Sequence, residues 1–216
     1  MNPSKLYYDV TIREFSTASK TIYNFLPKNT IPSNITLPSF FTVKGKAKGT
    51  TQVVNTNLAI TSTLGNAGID ASVNMLRKNA ETYDIKANLK GLQIGKMIGM
   101  KELGIATGKI NAKGIGFDPK TMNTALAGNI QALDYNGYRY QNVDVKGKIN
   151  RGAYDVSLNS KDPNARLNLL ASGVYNQTQP TVKVQGNVYK LDLQKLGFYK
   201  DPMIIAGEID GDFNNL

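Results

Sequence analysis

The sequence contains no cysteine, no histidine and no tryptophan among its 216 residues. Without cysteine it can form neither a disulfide framework nor a thiolate metal site. Without histidine it lacks the side chain that most often acts as a general acid or base near neutral pH. Because most acid–base, nucleophilic and metal-site templates need these residues, we predict that the chain is not an enzyme and binds no metal or cofactor.

Long apolar runs are absent as well, and none approaches the about 20 residues that a transmembrane helix needs. The formal net charge is +10, from 26 Lys and Arg against 16 Asp and Glu. These cations are scattered singly and form no basic cluster with aromatic stacking residues, so no nucleic-acid partner is predicted. Two explanations of the charge stay open: a solvated outer face, or attraction to anionic lipid headgroups.

Alternation of apolar and polar residues with a period of two dominates the chain and predicts about a dozen β-strands. The Asn136-Gly137 dipeptide predicts a hairpin turn between two of them. Helical signals are few: they predict a helix over residues 16–26, and single helical turns that follow a strand at residues 94–100 and 193–198. Residues 27–38 contain three prolines and are predicted to form a loop over one edge of the sheet.

A degenerate internal repeat runs through these strands. The peptide that begins at Tyr8-Asp9 returns at Tyr83-Asp84 and again at residues 154–156, which favours an architectural role for the Tyr-Asp pairs. We predict one continuous array in four parts: residues 1–40 end a preceding repeat with the short helix and proline-rich loop, 41–104 form one unit, 105–202 a longer unit, and 203–216 begin the next. Because the chain opens and closes inside a repeat, we expect it to be a piece of a longer protein.

The apolar residues of successive strands are expected to share one face. The predicted helices are too small to cover a dozen strands, so the sheet must curl on itself as a sandwich, a barrel or an incompletely closed half-barrel. In a closed sandwich the apolar residues would simply fill the core; in an open one they would line a groove. The predicted lining residues are Leu58, Ile60, Ile69, Val73, Ile85, Leu89, Leu126, Ile130, Val145, Val156, Leu158, Leu167, Leu169, Val182 and Val184.

Four stretches carry a resemblance to a known family: residues 133–143 (LDYNGYRYQNV), 145–149 (VKGKI), 154–163 (YDVSLNSKDP) and 191–197 (LDLQKLG). The pattern resembles the AsmA-like proteins, and more narrowly the TamB (translocation and assembly module) proteins of Bacteroidetes-type Gram-negative bacteria. The resemblance implies a mainly β fold, a repeat-built curled antiparallel sheet (a β-taco, or open half-barrel groove) with a few short helices.

The same resemblance implies a function. It implies a periplasm-spanning protein that is anchored in the inner membrane by regions outside this sequence. The apolar groove of such a protein would bind phospholipid or another acyl-chain ligand and conduct it between the inner and outer membranes. It also implies a role in outer-membrane biogenesis beside a barrel partner. The alternative function is a scaffold or chaperone that pairs its strand edges with outer-membrane proteins.

Overall fold

The fold is a single antiparallel sheet of twelve strands, seen in a computed structural model that describes residues 6–25, 35–118, 120–175 and 180–214. In chain order, its elements are β1 (Tyr8–Ala18), α1 (Ser19–Phe25), β2 (Phe40–Gly49), β3 (Val53–Ser62), β4 (Gly65–Asn74), β5 (Thr82–Gln93), α2 (Ile94–Ile98), β6 (Leu103–Ile115), β7 (Asn123–Tyr135), β8 (Tyr138–Asn150), β9 (Ala153–Lys161), β10 (Ala165–Val174), β11 (Thr181–Asp192) and β12 (Ile204–Asn214). Strand order in the sheet follows chain order from β1 to β12. The sequence-based prediction of a curled antiparallel sheet with few helices is confirmed.

The sheet is open. Strand pairing joins only strands that are consecutive in the chain, so within the described residues no pairing of β1 with β12 closes a barrel. The accessible surface is 14359 Å², whereas a compact protein of this mass would expose about 9,800 Å². Much of the sheet surface therefore stays in contact with solvent.

Tight hairpin turns join several strands. Asn136 and Gly137 both have positive φ, 48° and 79°, and connect β7 to β8 as predicted. Arg151 and Gly152 form an equivalent turn between β8 and β9, with φ of 50° and 86°. Such turns match the right-handed twist of the strands they join, and they therefore allow the sheet to twist without splaying its strands.

The longest predicted helix needs correction. The predicted helix over residues 16–26 was wrong at its start, because Ser16 and Thr17 pair with Thr42 and Phe41 and extend β1 to Ala18. Its last residue and most of the predicted loop over 27–38 lie outside the described residues.

The two predicted single turns each follow a strand, as expected. Helix α2 ends at Ile98, followed by Gly99 in the left-handed conformation with φ of 73°. Residues 193–198 form hydrogen-bonded turns directly after β11, with the Phe198 amide donating to the Leu193 carbonyl at 2.9 Å. These turns and the two helices follow β11, β1 and β5, and all three lie at the same end of the sheet.

The repeated tyrosines have a structural role in the sheet. Each one lies directly opposite a glycine on the neighbouring strand, an arrangement in which an aromatic ring can cover backbone that has no side chain of its own. The pairs are Tyr8 with Gly49, Tyr83 with Gly114, and Tyr154 with Gly173. The aspartate after Tyr83, Asp84, pairs across the strands with Lys113 at 3.0 Å. The repeat therefore encodes a cross-strand unit.

Candidate functional site: the apolar face

All the predicted lining residues lie on one face of the sheet, because residues directly opposite each other in antiparallel strands point to the same side. The register places them in four parallel rows that cross the strands. The central row contains one residue from every strand, and each is aliphatic or glycine. Its members, from β1 to β12, are Ile12, Gly45, Leu58, Ile69, Ala87, Ile110, Gly128, Val145, Leu158, Leu169, Gly186 and Ile209.

Three further rows flank the central row on the same face. The second row carries the predicted Ile85, Leu126, Val156 and Val184, and the third carries Val73 and Val182 beside the repeated tyrosines. The fourth row, on the helix side, carries Ile60, Leu89, Ile130 and Leu167. We call the four rows together the apolar face. With strands about 4.8 Å apart and residues of one face about 6.8 Å apart along a strand, it measures about 53 Å by 20 Å.

Leucines on the two sides of the sheet show how the apolar face differs from the polar face. Leu58, Leu158 and Leu169 of the central row are half-buried, whereas Leu170, on the polar face, is 60% exposed. Neighbouring apolar side chains therefore shelter the central row, but they do not seal it from solvent. Half-buried apolar side chains that follow one another across the strands form a surface of the kind that commonly marks a binding site.

Part of the fourth row forms a buried core. Leu89, Leu167 and Val188 are 7%, 8% and 5% exposed, and Leu196 from the turn after β11 is 1% exposed. These residues lie toward the end of the sheet that carries the helices and this turn. The apolar face is thus tightly packed around these residues, whereas Ile60 of the fourth row and Leu158 of the central row are only half-buried.

Glycines in the central row bring neighbouring strands into unusually close approach. Gly45 and Gly186 have φ of +142° and +149°, a region that residues with a side chain rarely adopt. A Cβ atom added at either position would lie 2.0 Å from a carbonyl oxygen of the next strand, that of Asn57 or Asn168. These glycines therefore permit backbone bends that the curled sheet needs.

The polar face carries paired charges and amides. Asn129 donates a hydrogen bond to Asp144 at 2.7 Å across strands, and Gln185 donates to Asp210 at 3.1 Å. Two open depressions, of about 810 and 630 Å³, lie on this face. Sequence reasoning did not anticipate them, because they form between long side chains such as Lys109 and Lys146 whose arrangement depends on the curvature of the sheet.

Buried carboxylates in the described part of the chain have structural partners. Asp162 is fully buried. Its carboxylate accepts hydrogen bonds from the Tyr138 hydroxyl at 2.6 Å and from the backbone amides of Gln141 and Asn164, both at 2.8 Å. Burial, together with the hydrogen bond to Asp162, raises the pKa of Tyr138 to about 12. Among the described residues no three His, Cys, Asp or Glu side chains cluster closely enough to hold a metal ion.

Sequence reasoning missed several residues of the apolar face. Ile12, Ile110 and Ile209 complete the central row, and Val143 and Val188 belong to the fourth. A signal for Ile110 and Ile209 was present, since each follows a glycine and a charged residue in equivalent positions of β6 and β12. Glycine obscured the alternation in these strands.

Comparison with protein-family models, curated proteins and solved structures finds no match. In the described parts of the chain, no helix is both long enough and apolar enough to span a bilayer. The interpretation of the apolar face therefore depends on its own geometry and chemistry.

Proposed function

We propose that the apolar face binds the acyl chains of lipids and lets them move from strand to strand along its rows. The observation that carries the proposal is the central row, where every one of twelve strands contributes an aliphatic residue or glycine. Burial of a methylene group stabilises a bound chain by about 0.8 kcal/mol and requires no particular orientation. Similar residues on every strand then give similar binding energies along the face, which favours sliding over tight retention.

The resemblance to AsmA-like and TamB proteins supports a specific setting for this activity. In that setting the chain is part of a periplasmic protein anchored in the inner membrane, and it conducts phospholipid between the two membranes of a Gram-negative cell envelope. The open sheet supports the proposal, since a lipid could enter from the side anywhere along the face. Neither nucleic acid nor enzymatic turnover is part of this function.

The edge strands favour a second candidate function, a scaffold that pairs with strands of outer-membrane proteins. Ile204 and Phe213 of β12 are 63% and 47% exposed, and among the described residues no further strand pairs with the outer edge of β12. A barrel protein of the outer membrane is the partner that this candidate would require.

Site-specific photo-crosslinking distinguishes the lipid proposal from its alternatives. A photoreactive amino acid would replace Ile60 or Leu158 on the apolar face, and Leu170 on the polar face as a matched control. After expression in a Gram-negative host, lipid attached to the protein would be identified by mass spectrometry. We expect lipid adducts at Ile60 and Leu158 and none at Leu170; equal labelling at all three positions, or labelling at none, would refute a lipid site on the apolar face.

A further inference from the structure

Five strand connections form a continuous edge at the end of the sheet opposite the helices. They join β2 to β3, β4 to β5, β6 to β7, β8 to β9, and β10 to β11. Backbone hydrogen bonds of 2.7 to 3.0 Å link each described connection to the next: Met75 to Gln52, Gly116 to Glu81, Arg151 to Met122, and Tyr175 to Gly152. We call the described residues at this end, 50–52, 75–81, 115–118, 120–122, 151–152 and 175, the loop rim. The hydrogen bonds make it one connected surface.

The loop rim exposes large apolar side chains. Leu76 is 58% exposed, Phe117 53%, Ile115 49%, Met75 40% and Tyr175 37%. The Phe117 ring stacks on Tyr83 with 5.2 Å between ring centroids, so its position is fixed by the sheet. Exposed aliphatic and aromatic side chains held together in this way form an apolar patch of the kind that marks an interaction site.

Cations accompany these apolar residues. Arg77 and Lys78 follow Leu76 directly, and Lys120 lies in the same connection as Phe117. All three are exposed, and none forms an ion pair with a carboxylate in the part of the chain that the structure describes. The nearby carboxylates serve the loops instead: Glu81 accepts the Asn79 amide at 2.9 Å, and Asp118 accepts the Lys120 amide at 2.9 Å.

We propose that the loop rim docks on the surface of an anionic lipid bilayer, with Leu76 and Phe117 inserted at the acyl boundary and Arg77, Lys78 and Lys120 among the headgroups. Apolar side chains interleaved with cations are the combination that interfacial membrane binding uses. A second copy of the chain is disfavoured as the occupant, because two loop rims facing each other would oppose like charges. The docking site adjoins the third row of the apolar face through the Phe117–Tyr83 stack, but it does not include the central row that carries the acyl-chain proposal, and neither proposal requires the other.

The absence of tryptophan provides a direct test. A Phe117→Trp variant carries a single fluorescent reporter, and it would be titrated with vesicles of phosphatidylglycerol and, separately, of phosphatidylcholine. We expect a blue-shifted emission and protection from acrylamide quenching with phosphatidylglycerol vesicles only. Leu76→Trp is a second reporter in case the first variant fails to fold, and Leu170→Trp on the polar face is the matched control, expected not to shift.

Charge variants in the reporter background separate specific docking from general attraction. Replacing Arg77, Lys78 and Lys120 together by glutamine should weaken binding to phosphatidylglycerol vesicles about 100-fold, because each cation near an anionic surface increases the affinity by about a factor of five. The control is glutamine at Lys46, Lys86 and Lys109, three exposed lysines of the polar face, with an expected loss of less than threefold.

Equal losses in the two triple variants, an unshifted reporter on bound vesicles, or no binding to either vesicle would overturn the docking proposal. If lipid crosslinks at Leu158 persist in that case, the acyl-chain proposal stands and only the docking proposal is removed.

Discussion

Three leucines at different depths provide the sharpest test of whether the apolar face is open. Leu89 is 7% exposed, Leu158 is half-buried on the same face, and Leu170 is 60% exposed on the opposite face. Replacing each by aspartate introduces the same carboxylate at three levels of burial. If the apolar face is open to water, the loss in the free energy of unfolding should increase in steps from Leu170 to Leu158 to Leu89.

The magnitudes follow from burial and strand propensity. At Leu170, aspartate should lower the free energy of unfolding by up to about 1 kcal/mol, which is the span of strand propensities. At Leu158 the loss of part of the about 1.5–3 kcal/mol of leucine burial is added, giving about 2–3 kcal/mol. At Leu89, losing the buried leucine side chain should lower the free energy of unfolding by about 2–5 kcal/mol, and burying a carboxylate without a partner lowers it further. The sum approaches the whole stability of a typical domain.

Urea unfolding followed by far-ultraviolet circular dichroism measures these differences directly. We expect Leu158→Asp to retain the β spectrum and a cooperative transition with an unchanged denaturant slope, and Leu89→Asp to be unfolded without denaturant. If Leu158→Asp unfolds as completely as Leu89→Asp, the apolar face is a sealed core and the reasoning for a lipid surface fails.

Further predictions concern the residues that hold the sheet together. Asp162→Ala should lower the free energy of unfolding by about 3 kcal/mol or more in urea titrations, because it leaves buried donors unpaired; a change below about 1 kcal/mol would contradict this. Because the pKa of Tyr138 rises from 10.0 to about 12 on folding, its protonated form stabilises the fold below pH 10 and this contribution is lost as the pH rises toward 12; Tyr138→Phe should flatten the stability profile in that range, and an unchanged profile would refute the assignment. Gly186→Ala should destabilise the protein by about 2 kcal/mol or more, since its Cβ would lie 2.0 Å from a carbonyl oxygen. In the control Gly68→Ala, the added Cβ would lie 3.9 Å from the Asn88 Cβ atom, and the free energy of unfolding should change by less than about 1 kcal/mol. Similar losses in both glycine variants would contradict the proposed role of Gly186.

The strands and the apolar face could be predicted because both depend on a local pattern. Alternation along a strand such as β9 determines which side chains share a face, and every predicted lining residue from Leu58 to Val184 lies on that face. Register and pairing partners depend on distant residues. Thr17 reads as a helix start in isolation, and it lies in β1 only because Phe41 pairs with it.

The shape of the surfaces was beyond the reach of pattern analysis for a related reason. The bends at Gly45 and Gly186 involve positive φ values that glycine permits but does not require. The depressions of the polar face depend on those bends and on how lysine and asparagine side chains spread over them. Nothing in the alternation of residues specifies curvature, so the loop rim and these depressions became visible only in three dimensions.

The uninterrupted chain order of the strands has a consequence for how such a sheet forms and changes length. Since every strand pairs with its immediate predecessor, each hairpin can form before the next is added, and the sheet can assemble progressively from any starting hairpin. Four strands, β2 to β5, separate the first two helices, whereas six strands lie between α2 and the turn at 193–198. Inserting or deleting one whole hairpin keeps every later strand in its orientation, so the length of the apolar face can change by about 10 Å at a time without disturbing its rows.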